Sequence, residues 1–145
     1  RLTSELKDLL SKSRFKSVLV LHVNHANEVS ETLTRTLKEW HHAGIHLLNQ
    51  SVLLNGVNDN IEALTQLSEK LFDASVLPYY LHQLDKVEGA SHFAVGDDKA
   101  QTLWQQMTYE LPGFLVPRLV REQARELSKT AIMPDGTNES TKDKL

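Results

Sequence analysis

The sequence predicts an α/β protein, part of an incomplete parallel (β/α) barrel in which about four strands alternate with helices. Three short apolar segments, about thirty residues apart, each run into a cluster of polar, chemically capable residues, which is the spacing of successive strand–helix units in a parallel sheet. Val18 to Leu21 leads into His22-Val23-Asn24-His25-Ala26-Asn27-Glu28, Ile45 to Leu48 into Asn49-Gln50-Ser51, and Val76 to Leu81 into His82-Gln83-Leu84-Asp85. The second observation is length. The 145 residues are enough for one domain with a real core, whereas a complete barrel takes about 250. The chain also opens at Arg1 with a strand candidate close behind, as a piece of a longer protein would. In such sheets the polar residues at the carboxyl ends of the strands face one mouth, and function is expected there.

Each element has its own signal. Residues 1–16 are amphipathic, with Leu2, Leu6, Leu9 and Leu10 near helical spacing. After the first strand, Asn27 or Ser30 can cap a helix with the stripe Leu33, Leu37 and Trp40, stopped by Gly44. Ile45 to Leu54 reads as the second strand and its exit, with Asn49 and Gln50 just past the strand, and the continuous apolar character of that strand suits a sheet covered on its outer face. Asn55-Gly56 then makes a turn, and Asp59 or Asn60 caps a helix with Ile61, Leu64, Leu67, Leu71 and Phe72 on one side. A longer connection over 84–96 follows the third strand, then a helix from Asp97 through Ala100, Leu103, Trp104 and Met107. Pro112-Gly113 precedes a fourth strand candidate from Phe114 to Val120, in which Pro117 argues for an edge position. Residues 1–132 are expected to form the folded part, and the polar stretch 133–145 a mobile tail.

Sixteen basic against 19 acidic residues give a net charge of −3, so nucleic-acid binding has little electrostatic support. No apolar run approaches the roughly 18 to 20 residues that span a bilayer, and no leader pattern is visible; the expected compartment is the cytosol. With no cysteine, the chain holds neither disulfides nor thiolate ligands for zinc or an iron–sulfur cluster.

Several residues at the expected mouth can carry chemistry. His22 and His25, three apart, could join His46 or His82 in a metal site. Against that stand the lack of a zinc-type spacing and the common capping role of histidines near helix ends, as for His41 and His42. Asn49 and Gln50 are amides able to grip a ribose, a carboxylate or an adenine edge, or one of them ties down the local turn. Asp85 and Glu122 are carboxylates suited to an ammonium group, or surface acids paired with Lys86 and Arg121. Lys129 is by local pattern an ordinary surface lysine.

These segments resemble the lysine 2,3-aminomutase family of radical S-adenosylmethionine enzymes. The resemblance lies in His22-Val23-Asn24-His25-Ala26-Asn27-Glu28, in the run from Asn49 to Asp59, in Pro78 to Asp85, in Gly89-x-x-His92-Phe93 and in Gly113-x-Leu115-Val116-Pro117. It is strongest to the bacterial branch that isomerises lysine for modification of elongation factor P. The resemblance implies the C-terminal part of a radical S-adenosylmethionine barrel, from a parent isomerase that turns L-α-lysine into β-lysine. It implies Lys129 as the lysine that forms an imine with pyridoxal phosphate, and Asp85 and Glu122 as partners of the substrate ammonium. His22 and Gln50 are implied as contacts to S-adenosylmethionine. Glu122 departs from the catabolic branch, which carries Asp there, and His82 from its Tyr. The family holds its [4Fe-4S] cluster with a Cys-x-x-x-Cys-x-x-Cys motif that this chain lacks, so the chain alone is expected to be inactive. The implied partners are the small-molecule substrate lysine and, along the pathway, elongation factor P and its lysyl ligase; a homo-oligomer is compatible with the pattern. A different class, a non-catalytic α/β module that binds a ligand or a protein, is the alternative expectation, favoured by the missing cysteines. An aminomutase for another amino acid such as glutamate is disfavoured by Asp85 and Glu122, which suit a cationic side chain.

Overall fold

The computed structural model describes residues 1–85, 92–121, 130–132 and 138–140. Four parallel strands, β1 (Val18–Leu21), β2 (His46–Leu53), β3 (Leu77–Gln83) and β4 (Arg118–Arg121), lie side by side in chain order. They alternate with the helices α1 (Ser4–Ser11), α2 (Glu31–His42), α3 (Ile61–Asp73) and α4 (Asp97–Glu110). Two short strands, β5 (Thr130–Ile132) and β6 (Asn138–Ser140), continue the sheet antiparallel beyond β4.

The helices start where the side chains can accept. Ser30 accepts from the Leu33 amide at 3.0 Å and Asn60 from the Ala63 amide at 2.8 Å, each satisfying an orphan N–H of the first turn. Of the two cap candidates at each site, Ser30 and Asn60 do this work. Asn27 lies in the 3₁₀ turn Ala26–Glu28. Helix α2 ends with Gly44 at φ 91°, and the Ile45 amide reaches back to the Trp40 carbonyl, a stop that the left-handed backbone of glycine makes inexpensive. Helix α3 ends the same way with Ser75 at φ 66°, its neighbour Val76 bonded to the Leu71 carbonyl.

Among the described residues, one face of the sheet is packed and the other is open. Along β2, Leu47, Asn49, Ser51 and Leu53 are buried, while His46, Leu48, Gln50 and Val52 are not. Leu47 joins a cluster with Leu37, Trp40, Ile45, Leu71 and Val76, and Leu53 joins one with Leu64, Leu81, Leu103, Met107 and Leu119. The covering of one face expected for this strand is present, and it reads as an alternation along β2 because the described helices pack on that side. Phe72, expected in the apolar stripe of α3, is 47% exposed and instead sets its ring 5.3 Å from that of Phe114. Leu9 likewise faces outward. Pro117 lies just before β4, where its missing N–H costs no ladder bond, and its carbonyl accepts from the Trp104 indole at 2.8 Å. The edge position expected for that strand is thus wrong: β4 lies between β3 and β5.

Asp59, the cap candidate that does not cap, ties the β2–α3 turn to α4. Its carboxylate accepts from the Gly56 amide at 3.0 Å and from Lys99 Nζ at 2.6 Å. The Lys99 bond, helped by the Gly56 amide and opposed by partial burial, holds the Asp59 pKa below its ordinary value of 3.8. Because the folded-state pKa lies below the unfolded one, the contribution is present above about pH 4 and is lost as pH falls through the folded value. Asp59→Asn is expected to flatten the acid side of the stability profile, at a cost near neutrality of at most about 1 kcal/mol since Lys99 is half exposed. Urea unfolding from pH 7 to pH 2 checks this.

Candidate functional site

Past β1 the backbone leaves the ladder, and side chains take over its hydrogen bonds. Asn49 accepts from the Val23 amide at 2.9 Å and donates to the Val23 carbonyl and to Ser51 Oγ, both at 3.0 Å; Ser51 Oγ donates to the same carbonyl at 2.9 Å. Asn24 Oδ1 accepts from the Val52 amide at 2.8 Å. Asn58 donates to the Asn24 and Val52 carbonyls, each at 2.9 Å, and accepts from the Leu54 amide at 2.8 Å. Of the two neighbouring amides, Asn49 is therefore the structural one, and Gln50 stands on the open face.

His25 is used locally to build a turn. His25 Nδ1 accepts from the Asn27 amide at 3.1 Å, and Glu28 returns the favour by accepting from the Asn24 and His25 amides at 3.0 Å, a capping box on the 3₁₀ turn. An Nδ1 used as an acceptor in this way is not offered to a metal. Among the described residues no group of three or more His, Asp or Glu side chains is placed to hold a metal ion.

The remaining site candidates fall into two places. His22, exposed, and Gln50 each come directly after the last β1–β2 register pair, Leu21 with Asn49. Gln50 Oε1 lies 3.2 Å from His82 Nε2 on the neighbouring strand, with the Tyr80 ring 5.6 Å from that of His82. Asp85 lies two residues past β3 in a cleft of about 740 Å³, lined also by Gln83, Asp97, Lys99 and Arg121. There Arg121 is the hub: it contacts Asp97 closely, donates to Gln83 Oε1 at 3.5 Å and lies 4.0 Å from Asp85. Gln83 in turn donates to Asp97 at 2.8 Å and to the Val95 carbonyl at 2.9 Å, fixing the start of α4 over the strand ends. Lys86, Glu122, Gly89 and Lys129 lie outside the described residues, as do 133–137 and 141–145. The sequence reading missed Asn24, Asn58 and Asp97 as the residues that shape the rim. The only local signal was the density of Asn and Asp just after each strand.

These features define the class. The fold is shared with a radical SAM methyltransferase from Sphaerobacter thermophilus, which matches with a TM-score of 0.63 at 14% identity, over 86% of this chain and 39% of that one. No protein-family profile matches the chain. L-lysine 2,3-aminomutase of Escherichia coli (strain K12) is 48% identical over 132 residues, 91% of this chain and 39% of that protein. The Haemophilus influenzae enzyme of the same name is 45% identical over 90% of this chain and 38% of its own length. That of Clostridium subterminale is 36% identical over 100% of this chain and 35% of its own. The chain is thus a homologue of the C-terminal part of the L-lysine 2,3-aminomutases, spanning 39% or less of the length of these curated relatives.

Proposed function

We propose that the chain is the C-terminal part of an L-lysine 2,3-aminomutase that converts L-α-lysine to β-lysine for attachment to elongation factor P by its lysyl ligase, in the cytosol. The observation that carries the reading is the 48% identity to the Escherichia coli enzyme over 91% of this chain.

The residues present fit S-adenosylmethionine in part: Gln50 and His82 put polar groups on the open face, beside the exposed end of β1 at His22. They do not fit the [4Fe-4S] cluster, since a chain with no cysteine leaves the thiolates to residues outside it. For pyridoxal phosphate the relevant group is the Lys129 amine, a nucleophile toward an aldehyde. When bound, these cofactors supply the one-electron chemistry that opens a carbon–hydrogen bond and the conjugated ring beside which an amino nitrogen migrates. The chain's own residues bind and orient. Asp85 supplies negative charge at the rim, where a lysine ammonium would share it with Arg121, itself retained by Asp97 and Gln83. Glu122 is assigned the same ammonium by resemblance.

Borohydride treatment of the complete parent with pyridoxal phosphate, followed by peptide mapping, tests the assignment. Label concentrated on Lys129 and lost in Lys129→Ala is the expected result. Label scattered over surface lysines would instead favour the non-catalytic binding module, to which the absence of cysteine already lends support.

A further inference from the structure

We infer that His82 is a positioning residue: it donates to Gln50 and so fixes which end of the Gln50 amide a ligand meets on the open face of the sheet. The inference rests on the proposed function, in which Gln50 contacts S-adenosylmethionine.

His82 Nε2 and Gln50 Oε1 are 3.2 Å apart, across adjacent parallel strands. A carbonyl oxygen only accepts, so in this bond Nε2 carries the proton. An isolated glutamine amide exchanges its oxygen and nitrogen by a half-turn about its last torsion, at little energetic cost. With the oxygen engaged by His82, the NH2 is turned away from the imidazole, and Gln50 meets its ligand as a donor. The Tyr80 ring, 5.6 Å away and tilted by 57°, packs beside the imidazole on the same face. The ligand group so selected is an acceptor: a hydroxyl oxygen, a carboxylate or a purine ring nitrogen, all of which a sulfonium nucleoside carries. Toward the ligand His82 therefore acts through Gln50, and for this contact position 82 supplies an N–H at the reach of Nε2.

Glutamine supplies such a donor, and methionine has nearly the same length with none. In the complete, cluster-loaded parent, His82→Met is expected to weaken S-adenosylmethionine binding about 5- to 10-fold by equilibrium dialysis, with KM for lysine and the melting temperature little changed. His82→Gln restores the binding. Gln50→Leu weakens it as well, and His82→Met adds nothing further in that background. A His82→Met protein that binds like wild type, equal losses in the Met and Gln variants, or additive losses with Gln50→Leu would overturn the inference while leaving the parent function standing. A wild-type parent that binds no S-adenosylmethionine would sink both.

Discussion

Asn58→Ala is expected to destabilise the protein by about 3 kcal/mol, more than a typical polar substitution. Asn58 is fully buried, and its one amide replaces three pieces of missing ladder, to the Asn24 and Val52 carbonyls and the Leu54 amide. Truncation removes all three bonds and leaves three part-buried backbone groups without their protein partner, which is the costly half of the exchange. Asn58→Asp is expected to be no better at neutral pH, because the carboxylate keeps the acceptor for Leu54 but faces two carbonyl oxygens without a proton to give. Denaturant unfolding at constant m-value measures both.

Leu81→Ala should cost about 3 kcal/mol by a different route. Leu81 is 1% exposed on the central strand β3, packed among Leu53, Leu64, Leu103 and Leu119 from neighbouring strands and helices. Removing three carbons there forfeits burial and leaves a cavity that β-strand neighbours, fixed by their ladders, fill poorly. His82, the next residue, projects from the opposite face. The same unfolding measurement on His82→Met is expected to stay within about 1 kcal/mol of wild type. The contrast across one peptide bond separates the packed face from the face assigned to ligands.

The strand–helix order was legible because each unit carries its own local chemistry: an apolar strand, a polar exit, and a cap such as Ser30 or Asn60 three residues ahead of the amide it satisfies. Gly44 was legible for the same reason, since a helix stop is written in a single residue. The alternation of β2 was hidden by its composition. Leu47 and Leu48 look alike in a sequence, and only the placement of helices on one side makes the first core and the second not. The stitching of Asn24 and Asn58 spans 34 residues, and the contact of Arg121 with Asp97 spans 24, so neither has a local periodicity to betray it. Strands β5 and β6, three residues each, are too short to carry a pattern of their own. At the candidate site, Asp85 was legible as a polar residue after a strand, whereas Gln50, expected just past the second strand, lies inside β2; that their contacts would be Arg121 and His82 was not legible.

The most direct test is chemical. The complete parent, loaded with its iron–sulfur cluster and pyridoxal phosphate and given S-adenosylmethionine and L-lysine, is predicted to accumulate β-lysine, resolved by chromatography against the α-isomer. A fully loaded wild-type parent that forms no β-lysine would contradict the account.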